Sequence, residues 1–167
     1  MLDIIEVQDG QTVVDVACGT GDLIAAISRK ADIKAHGIDI AEQMIKVAKE
    51  TYQGISYKVS PATPLPFENA TIDIITVSAA FHHFEEPQEF ANECGRVLRP
   101  GGKVYIGEFC VSPAARHIMN FFARFVRTGD VKIYSDDELA AFFTKARFII
   151  ADIRMDKPLM VLTCWKK

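Results

Sequence analysis

The sequence lacks several features that would assign it to common protein classes. Its four cysteine residues, Cys18, Cys94, Cys110 and Cys164, are far apart and form no C-x-x-C pair, so we predict no zinc or other metal site. No apolar run approaches the roughly 20 residues that span a bilayer. With no recognisable signal peptide, we expect reduced thiols and a cytoplasmic location. A net charge of -3 gives no general attraction for nucleic acid or anionic membranes.

The composition is that of a packed globular chain. Hydrophobic residues make up 49% and charged residues 25% of the 167 residues. This length is typical of one domain, so we predict that residues 1–167 form a single domain.

Short apolar runs alternate with longer amphipathic stretches along the first two thirds of the chain. The predicted strands are 12–16, 33–40, 55–59, 72–78 and 103–108, and the predicted helices are 21–30, 41–51 and 87–98. A proline-rich loop containing Pro61, Pro64 and Pro66 separates the third strand from the fourth. We expect a turn at Pro100-Gly101-Gly102, before the fifth strand.

The last third is less regular. Helical spacing relates Ile118, Phe121, Phe122 and Phe125. A capping-box signature, Ser135 with Glu138, precedes a further helix. Two short strands, 148–153 and 159–164, flank Lys157-Pro158 and predict a hairpin. Together the pattern indicates a doubly wound, mostly parallel, seven-stranded Rossmann-like α/β sheet with helices on both faces and a C-terminal antiparallel hairpin.

The turn after the first strand is rich in glycine and is followed by an acid. It reads Asp15-Val16-Ala17-Cys18-Gly19-Thr20-Gly21-Asp22. The dinucleotide fingerprint requires another glycine where Ile24 stands, and the alternative frame, which starts at Ala17, puts Asp22 in that place. An acid at a helix start repels a pyrophosphate. The loop therefore favours a nucleoside ligand without phosphates, and S-adenosylmethionine (SAM) fits this description.

Asp39 closes the second predicted strand. Its carboxylate is in the position that accepts hydrogen bonds from both ribose hydroxyls in such folds. Taken alone, the glycines fit an ordinary strand-to-helix turn, and Asp39 fits a solvated strand end. Their spacing favours a common nucleoside site.

Four segments in this order resemble the class I SAM-dependent methyltransferases, in particular the branch with the ubiquinone and menaquinone C-methyltransferases. They are the segment from Val14 to Leu23, Gly37-Ile38-Asp39 with Met44, Leu65-Pro66-Phe67 followed by Ile72-Asp73-Ile74-Ile75, and Val97-Leu98-Arg99-Pro100-Gly101-Gly102. The resemblance runs from about Val13 to Phe148 and implies methyl transfer that converts SAM to S-adenosylhomocysteine.

The resemblance also implies a cofactor site. Its predicted members are Asp15, Ala17, Cys18, Gly19, Thr20 and Gly21 around the methionine and ribose, Asp39 at the ribose, Ile40, Met44 and the Ser60-Pro61-Ala62 stretch at the adenine, and Ser78, Ala79 and His83 beside the methyl group.

Three departures from the family pattern affect this expectation. Ser60-Pro61-Ala62 occupies a stretch where the family often has an acid near the adenine amino group, and Ala41 replaces a frequent capping serine or threonine. The chain also begins about a dozen residues before the first strand. We therefore expect a substrate pocket that is open, or one covered by another part of the chain or by another subunit, as in a homodimer.

His82 and His83 follow the fourth strand and are the candidate catalytic residues. A histidine there can take a proton from an acceptor near neutral pH. The alternative is that one caps the next helix and the other packs on the cofactor. Glu108 ends the fifth strand and faces the same cleft.

The leading hypothesis is methylation of a small, apolar or aromatic molecule. A SAM-binding module or subunit without its own catalysis is the alternative, and Asp22 and Ile24 argue against a nicotinamide oxidoreductase. Nucleic-acid amino-methylation is disfavoured because Ser78-Ala79-Ala80-Phe81 stands where that class has an Asn-Pro-Pro-Tyr type of tetrad. Arg116, Arg124 and Arg127 are interpreted as a solvated helix face.

Overall fold

The computed structural model describes residues 1–123, 132–156 and 159–167, and it describes residues 118, 121–123 and 156 by their backbone alone. Two short 3-10 turns, Leu2–Ile4 and Phe81–His83, accompany the regular elements. The strands are β1 (Thr12–Val16), β2 (Lys34–Asp39), β3 (Ser56–Val59), β4 (Ile72–Ser78), β5 (Leu98–Phe109), β6 (Phe148–Asp156) and β7 (Leu159–Lys166). The helices are α1 (Asp22–Ser28), α2 (Glu42–Thr51), α3 (Pro87–Val97), α4 (Pro113–Ala123) and α5 (Asp136–Lys145).

The seven strands form one sheet in the order β3-β2-β1-β4-β5-β7-β6. Strands β1 to β5 pair in parallel, and β7 pairs antiparallel with both β5 and β6. The predicted fold class is confirmed, including the C-terminal antiparallel pair. The chain order reverses between the neighbouring strands β1 and β4, which is where ligands bind in folds of this kind.

Two apolar layers cover the sheet because the side chains of each strand alternate between its faces. One layer packs α1 and α2 against the sheet through residues such as Ile24, Ile27 and Ile45. The other packs α3 and α5 through residues such as Phe90, Val97 and Phe143. Helices on both faces leave the carboxyl edge of the parallel strands free for a site.

Strand β5 corrects the sequence-based prediction. Pro100-Gly101-Gly102 was expected to be a turn before the strand, but β5 begins at Leu98. Ile72 of β4 pairs with Leu98 and Ile74 with Lys103, so the extra residues form an irregularity within the pairing. The glycine and proline signal marked a real distortion, and the pairing with β4 continues on both sides of it.

The C-terminal helix begins as predicted. Ser135 Oγ accepts the N–H of Glu138 at 3.0 Å, and Glu138 Oε2 accepts the N–H of Ser135 at 2.9 Å. This reciprocal pair satisfies two backbone donors at the start of α5. Of the helices in the described ranges, none is long and apolar enough to cross a membrane.

Some predictions concern residues outside the described ones. Phe125, Arg124, Arg127 and the predicted hairpin turn Lys157-Pro158 belong to this group, as do the side chains of Ile118, Phe121 and Phe122.

Candidate active site

The loop after β1 turns through three residues with left-handed backbone conformation. Their φ angles are +55° at Ala17, +54° at Gly19 and +84° at Gly21. Glycine adopts this conformation without a steric penalty, whereas Ala17 is strained. The loop is held at its start by a 3.0 Å hydrogen bond from the Cys18 N–H to the carbonyl of Ile38 on β2.

Asp39 connects this loop to the next helix. Its Oδ2 accepts the N–H of Gly19 at 2.8 Å, and its Oδ1 accepts the N–H of Ala41 at 2.8 Å. Ala41 is the N-cap of α2 and offers no side-chain cap of its own. The Asp39 carboxylate therefore holds the glycine loop and the start of α2 in fixed positions, and each oxygen keeps further acceptor capacity.

Tyr57 of β3 forms the floor below the glycine loop. Its ring lies so close to Gly37 that a Cβ there would meet two ring carbons at 2.7 Å, and its hydroxyl is in the space that a Cβ at Gly21 would need. Burial raises the pKa of Tyr57 to about 12. Tyr57 was not predicted from the sequence, although Gly37 within β2 was a signal for close packing.

Asp15 lies on β1 beneath the same loop. Its side chain is 2% exposed, and Oδ1 accepts a 2.6 Å hydrogen bond from the hydroxyl of Thr76 on β4. Burial, with a smaller contribution from the negative charge of Asp39, raises the pKa of Asp15 to about 7, although the Thr76 hydrogen bond opposes this shift. Asp15 is therefore poised to change charge near neutral pH.

The opposite wall of the cleft is the proline-rich loop, which side chains of α3 hold in place. Glu93 Oε2 accepts the N–H of Leu65 at 2.8 Å, and Arg96 donates to the carbonyls of Leu65 at 3.0 Å and Phe67 at 2.8 Å. Arg96 Nε also donates to Glu93 Oε1 at 2.7 Å. The loop has no regular structure, so its shape depends on this pair.

Between these walls is a cleft of about 580 Å³, within the usual range for small-molecule sites. Seven predicted cofactor residues line it: Ala17, Asp39, Ile40, Ser60, Pro61, Ala62 and His83. The cleft is also lined by Thr63, Ala80, Phe84, Glu85, Glu86 and Glu89, which the sequence analysis did not select. The lining residues from Ala80 to Glu89 lie in the segment after β4 and in the first turn of α3. In the sequence they directly follow or flank His83, and this position was the signal that could have predicted them.

The remaining predicted cofactor residues lie outside that lining: Asp15, Cys18, Gly19, Thr20, Gly21, Met44, Ser78 and Ala79. Most of them belong to the two segments that border it, the glycine loop and the end of β4. The pKa of the Cys18 thiol is raised, mainly by burial, so this cysteine is not an activated nucleophile.

The segment after β4 carries the two candidate catalytic histidines. Ala79 takes a φ of +51° and donates its N–H to the carbonyl of Gly107 on β5 at 2.7 Å. His82 and His83 follow in the 3-10 turn, with their ring centroids 4.0 Å apart. Burial and the neighbouring His82 lower the pKa of His83, so its imidazole is neutral at physiological pH.

Two strained alanines thus flank the point where the strand order reverses, Ala17 after β1 and Ala79 after β4. Backbone strain in non-glycine residues is concentrated at functional sites. The model of the family described as "Methyltransferase domain" matches residues 14–106, which include both strained turns, Asp39 and most of β5. The chain belongs to this methyltransferase family. This is the class I, SAM-dependent methyltransferase family that the resemblance implied.

Two relatives illustrate the similarity in sequence. The ubiquinone/menaquinone biosynthesis C-methyltransferase UbiE of Idiomarina loihiensis is 31% identical over 132 residues, which are 73% of this methyltransferase chain and 53% of the relative. The 27-O-demethylrifamycin SV methyltransferase of Amycolatopsis mediterranei is 26% identical over 86% of the chain and 56% of the relative. The chain therefore spans about half the length of these two relatives.

A solved structure shows the same fold. Geranyl diphosphate methyltransferase in complex with SAM superposes with a TM-score of 0.83 at 15% identity, covering 99% of this chain and 82% of that one. At this identity the likeness supports the fold alone.

Proposed function

We propose that this methyltransferase moves the methyl group of SAM to a small, apolar or aromatic acceptor. The names of two similar proteins refer to ubiquinone and menaquinone biosynthesis and to a demethylrifamycin, which supports a small-molecule acceptor. The proposal includes a cytoplasmic location, since all four cysteines have free thiols.

The observation that carries the cofactor assignment is the position of Asp39. Its carboxylate lines the cleft and is fixed by the N–H groups of Gly19 and Ala41. Because each oxygen has accepted only one of these hydrogen bonds, both can accept another from the ribose hydroxyls. Carboxylate acceptors held in advance lose little conformational entropy on binding.

Apolar side chains near Asp39 suit an adenine ring. Ile40 lines the cleft and is 74% exposed, and Met44 on α2 is 44% exposed. Ala62 lines the cleft within the proline-rich loop. A flat ring between Ile40 and this loop would remove apolar surface from water, which is favourable in proportion to the buried area.

The methionine end would lie over the glycine loop and the end of β4. Ala17, Cys18, Gly19, Thr20 and Gly21 approach it from β1, with the Asp15 carboxyl below them. Ser78, Ala79 and His83 would border the methyl group from the other side. A ligand ammonium group near Asp15 favours the charged carboxylate, because opposite charges attract strongly where water is excluded.

When SAM is bound, its sulfonium supplies an already activated methyl carbon. The task of this chain is therefore to align the acceptor with that carbon and to exclude water, which together can lower the barrier by several kcal/mol. His82 and His83 follow β4 at this end of the cleft. We propose that they contact the acceptor, and that one of them receives its proton.

Calorimetric titration with SAM, S-adenosylhomocysteine and NAD tests the cofactor assignment. We expect the two adenosyl compounds to bind and NAD to give no heat. Asp39→Ala should weaken SAM binding by roughly 1–3 kcal/mol, the range for hydrogen bonds to a charged group. Asp39→Asn, which keeps one acceptor oxygen, should lose less, and Asp3→Ala on the exposed N-terminal turn should bind like the wild type.

Transfer of labelled methyl groups into a panel of small aromatic molecules tests the activity. Labelled product is expected with the wild type and none with heat-denatured protein. Tight SAM binding with no labelled product from any small acceptor would favour a binding module over an enzyme. NAD binding in place of SAM would overturn the proposal entirely.

A further inference from the structure

We infer that Glu108 is the positioning residue for His82 as a general base, and that the acceptor of this enzyme carries an aryl hydroxyl group that must lose its proton. The inference rests on the proposed function and specifies the acceptor class. It comes from a contact between two neighbouring strand ends that does not involve the cofactor residues.

Glu108 is buried at the end of β5, where it is 5% exposed. Its Oε1 accepts the backbone N–H of Phe81 at 2.7 Å and that of His82 at 3.4 Å. Its Oε2 lies 2.8 Å from Nδ1 of the His82 ring. One carboxylate thus fixes both the backbone and the ring of the turn that follows β4. A buried carboxylate with three such contacts is held in a single orientation.

This geometry assigns different roles to the two ring nitrogens of His82. Nδ1 faces the Glu108 carboxyl and is the hydrogen-bond donor in this contact, so Nε2 is the nitrogen left to take a proton from an acceptor. Among the described residues, Nε2 has no hydrogen-bond partner. The His82 ring packs against that of His83, which lines the cleft. His82 itself is not among the lining residues, so its ring reaches the cleft beside the His83 ring, with the two ring centroids 4.0 Å apart.

A base oriented by a buried carboxylate is an arrangement for taking a proton during reaction. In the proposed step, the acceptor oxygen forms a bond to the methyl carbon while the bond between that carbon and the sulfonium sulfur breaks. The electron pair of the broken bond remains on sulfur, which becomes a neutral thioether. The hydroxyl proton moves to Nε2 of His82, and the Glu108 carboxylate stabilises the resulting imidazolium.

The surroundings favour an aryl hydroxyl over other acceptors. A phenolic proton, with an ordinary pKa near 10, is within reach of an imidazole base, whereas an alkyl hydroxyl is far less acidic. Phe84 lines the cleft, and the Phe109 ring centroid is 6.5 Å from that of His82. Among the described residues that line the cleft, there are carboxylates but no lysine or arginine, which disfavours an acceptor with phosphate groups.

The experiment compares 2-naphthol with 2-naphthalenethiol as methyl acceptors. The two probes have nearly the same shape, but the aromatic thiol is largely ionised at pH 8 and needs no base, since the thiolate is the nucleophile. The variants are His82→Asn and Glu108→Gln, with Glu50→Gln on the exposed face of α2 as the matched control. In Glu108→Gln, the amide oxygen can still accept the Phe81 N–H. The amide nitrogen then donates to Nδ1 and moves the ring proton to Nε2.

We expect both variants to lose about 10²–10⁴-fold in kcat for 2-naphthol, the range for general base catalysis. Their kcat for 2-naphthalenethiol and their SAM affinity should stay within about threefold of the wild type, as general acid–base effects are confined to steps that move a proton. Glu108→Asp should restore part of the naphthol activity. Nitrogen-15 NMR of histidine-labelled protein should report the Nδ1–H tautomer at His82 in the wild type and the Nε2–H tautomer in Glu108→Gln.

Several results would overturn the inference. They are equal losses for both probes in the variants, no loss for naphthol, and a wild type that binds SAM yet methylates the thiol alone or neither probe. A wild type that fails to bind SAM at all contradicts the proposed function instead, so the two failures are distinguishable.

Discussion

Thr76 on β4 donates a 2.6 Å hydrogen bond to the buried carboxyl of Asp15 on the adjacent strand β1. The pair lies directly beside the point where the strand order reverses. The hydroxyl partly compensates the burial of the carboxyl, but the pKa of Asp15 is still raised to about 7.

The first prediction concerns the pH dependence of stability. Because the folded protein holds the Asp15 proton more tightly than the unfolded chain, stability from this group is complete below its ordinary pKa of 3.8 and is lost as pH rises to about 7. Asp15→Asn lacks this loss. Its stability relative to wild type should therefore rise by about 3 kcal/mol between pH 5 and pH 8, measured by urea unfolding without ligand.

Thr76→Val provides the companion test for this pair. Without the hydroxyl, the charged carboxylate loses a donor and the pKa of Asp15 rises further, so the decline of stability should continue to higher pH and be larger in total than in the wild type. A constant difference between Asp15→Asn and wild type at both pH values would contradict the prediction.

The second prediction concerns the packing of Tyr57 on Gly37. In Gly37→Ala the new Cβ would lie 2.7 Å from Tyr57 ring carbons and 2.9 Å from Cys18 Sγ. Overpacking of this kind typically destabilises by about 1–3 kcal/mol. Adding Tyr57→Leu should recover part of the loss, which a double-mutant cycle by urea unfolding measures.

Gly95→Ala is the matched control for that substitution. Gly95 lies within α3, and an added Cβ would meet its nearest neighbour at an ordinary 3.6 Å. Alanine there should stabilise the protein by about 0.5–1 kcal/mol. If both glycine variants change stability equally, the close packing of Tyr57 has no energetic consequence.

The third prediction concerns the proline-rich wall of the cleft. Arg96→Lys keeps the charge but loses the planar group that donates to the carbonyls of both Leu65 and Phe67. The wall should then move, and SAM affinity measured by calorimetry should fall by about 3–10-fold, which corresponds to roughly 1 kcal/mol.

Arg99→Lys makes the same change at the start of β5, where Arg99 pairs with Asp73 at 2.7 Å. That pair lies at the amino ends of β4 and β5, whereas the cleft lies at the carboxyl ends of the parallel strands. SAM affinity should therefore stay within about twofold of wild type, as expected for independent sites. Equal weakening in the two variants would mean that the effect is a general loss of stability.

The fourth prediction concerns the start of α5. Ser135→Ala removes the acceptor for the Glu138 N–H and should destabilise the protein by about 1 kcal/mol. Glu138→Gln retains a capping box and should change stability by less than about 0.5 kcal/mol. Thermal or urea unfolding measures the stability of the two variants. A larger loss in Ser135→Ala than in Glu138→Gln would show that the stability comes from the N-cap hydrogen bond.

The sequence predicted the parts of this molecule that depend on short-range patterns. The alternation of apolar runs predicted the sheet, and the spacing of the glycine loop from Asp39 predicted a common nucleoside site. The loop and Asp39 are in contact through the Gly19 hydrogen bond. Local signals suffice here because each strand end determines where the next loop begins.

Contacts across strands were less predictable. The β5 irregularity at Gly101 was predicted as a turn because its local signal is strong, whereas pairing with β4 extends the strand through it. The contact between His82 and Glu108 joins residues 26 positions apart and depends on the register of β4 against β5. The packing of the Tyr57 ring on Gly37 likewise depends on the pairing of β3 with β2.

Glu93 and Arg96 clamp the proline-rich loop, and this clamp affects how the ligand preference of the cleft can evolve. Three of its hydrogen bonds go to the backbone of Leu65 and Phe67, and none of these three depends on the side chains of the loop. Substitutions within residues 60–67 can therefore alter what the cleft accepts while its outline is maintained from a neighbouring helix. New ligand preferences are accessible here by exchanging loop side chains, with the supporting scaffold left intact.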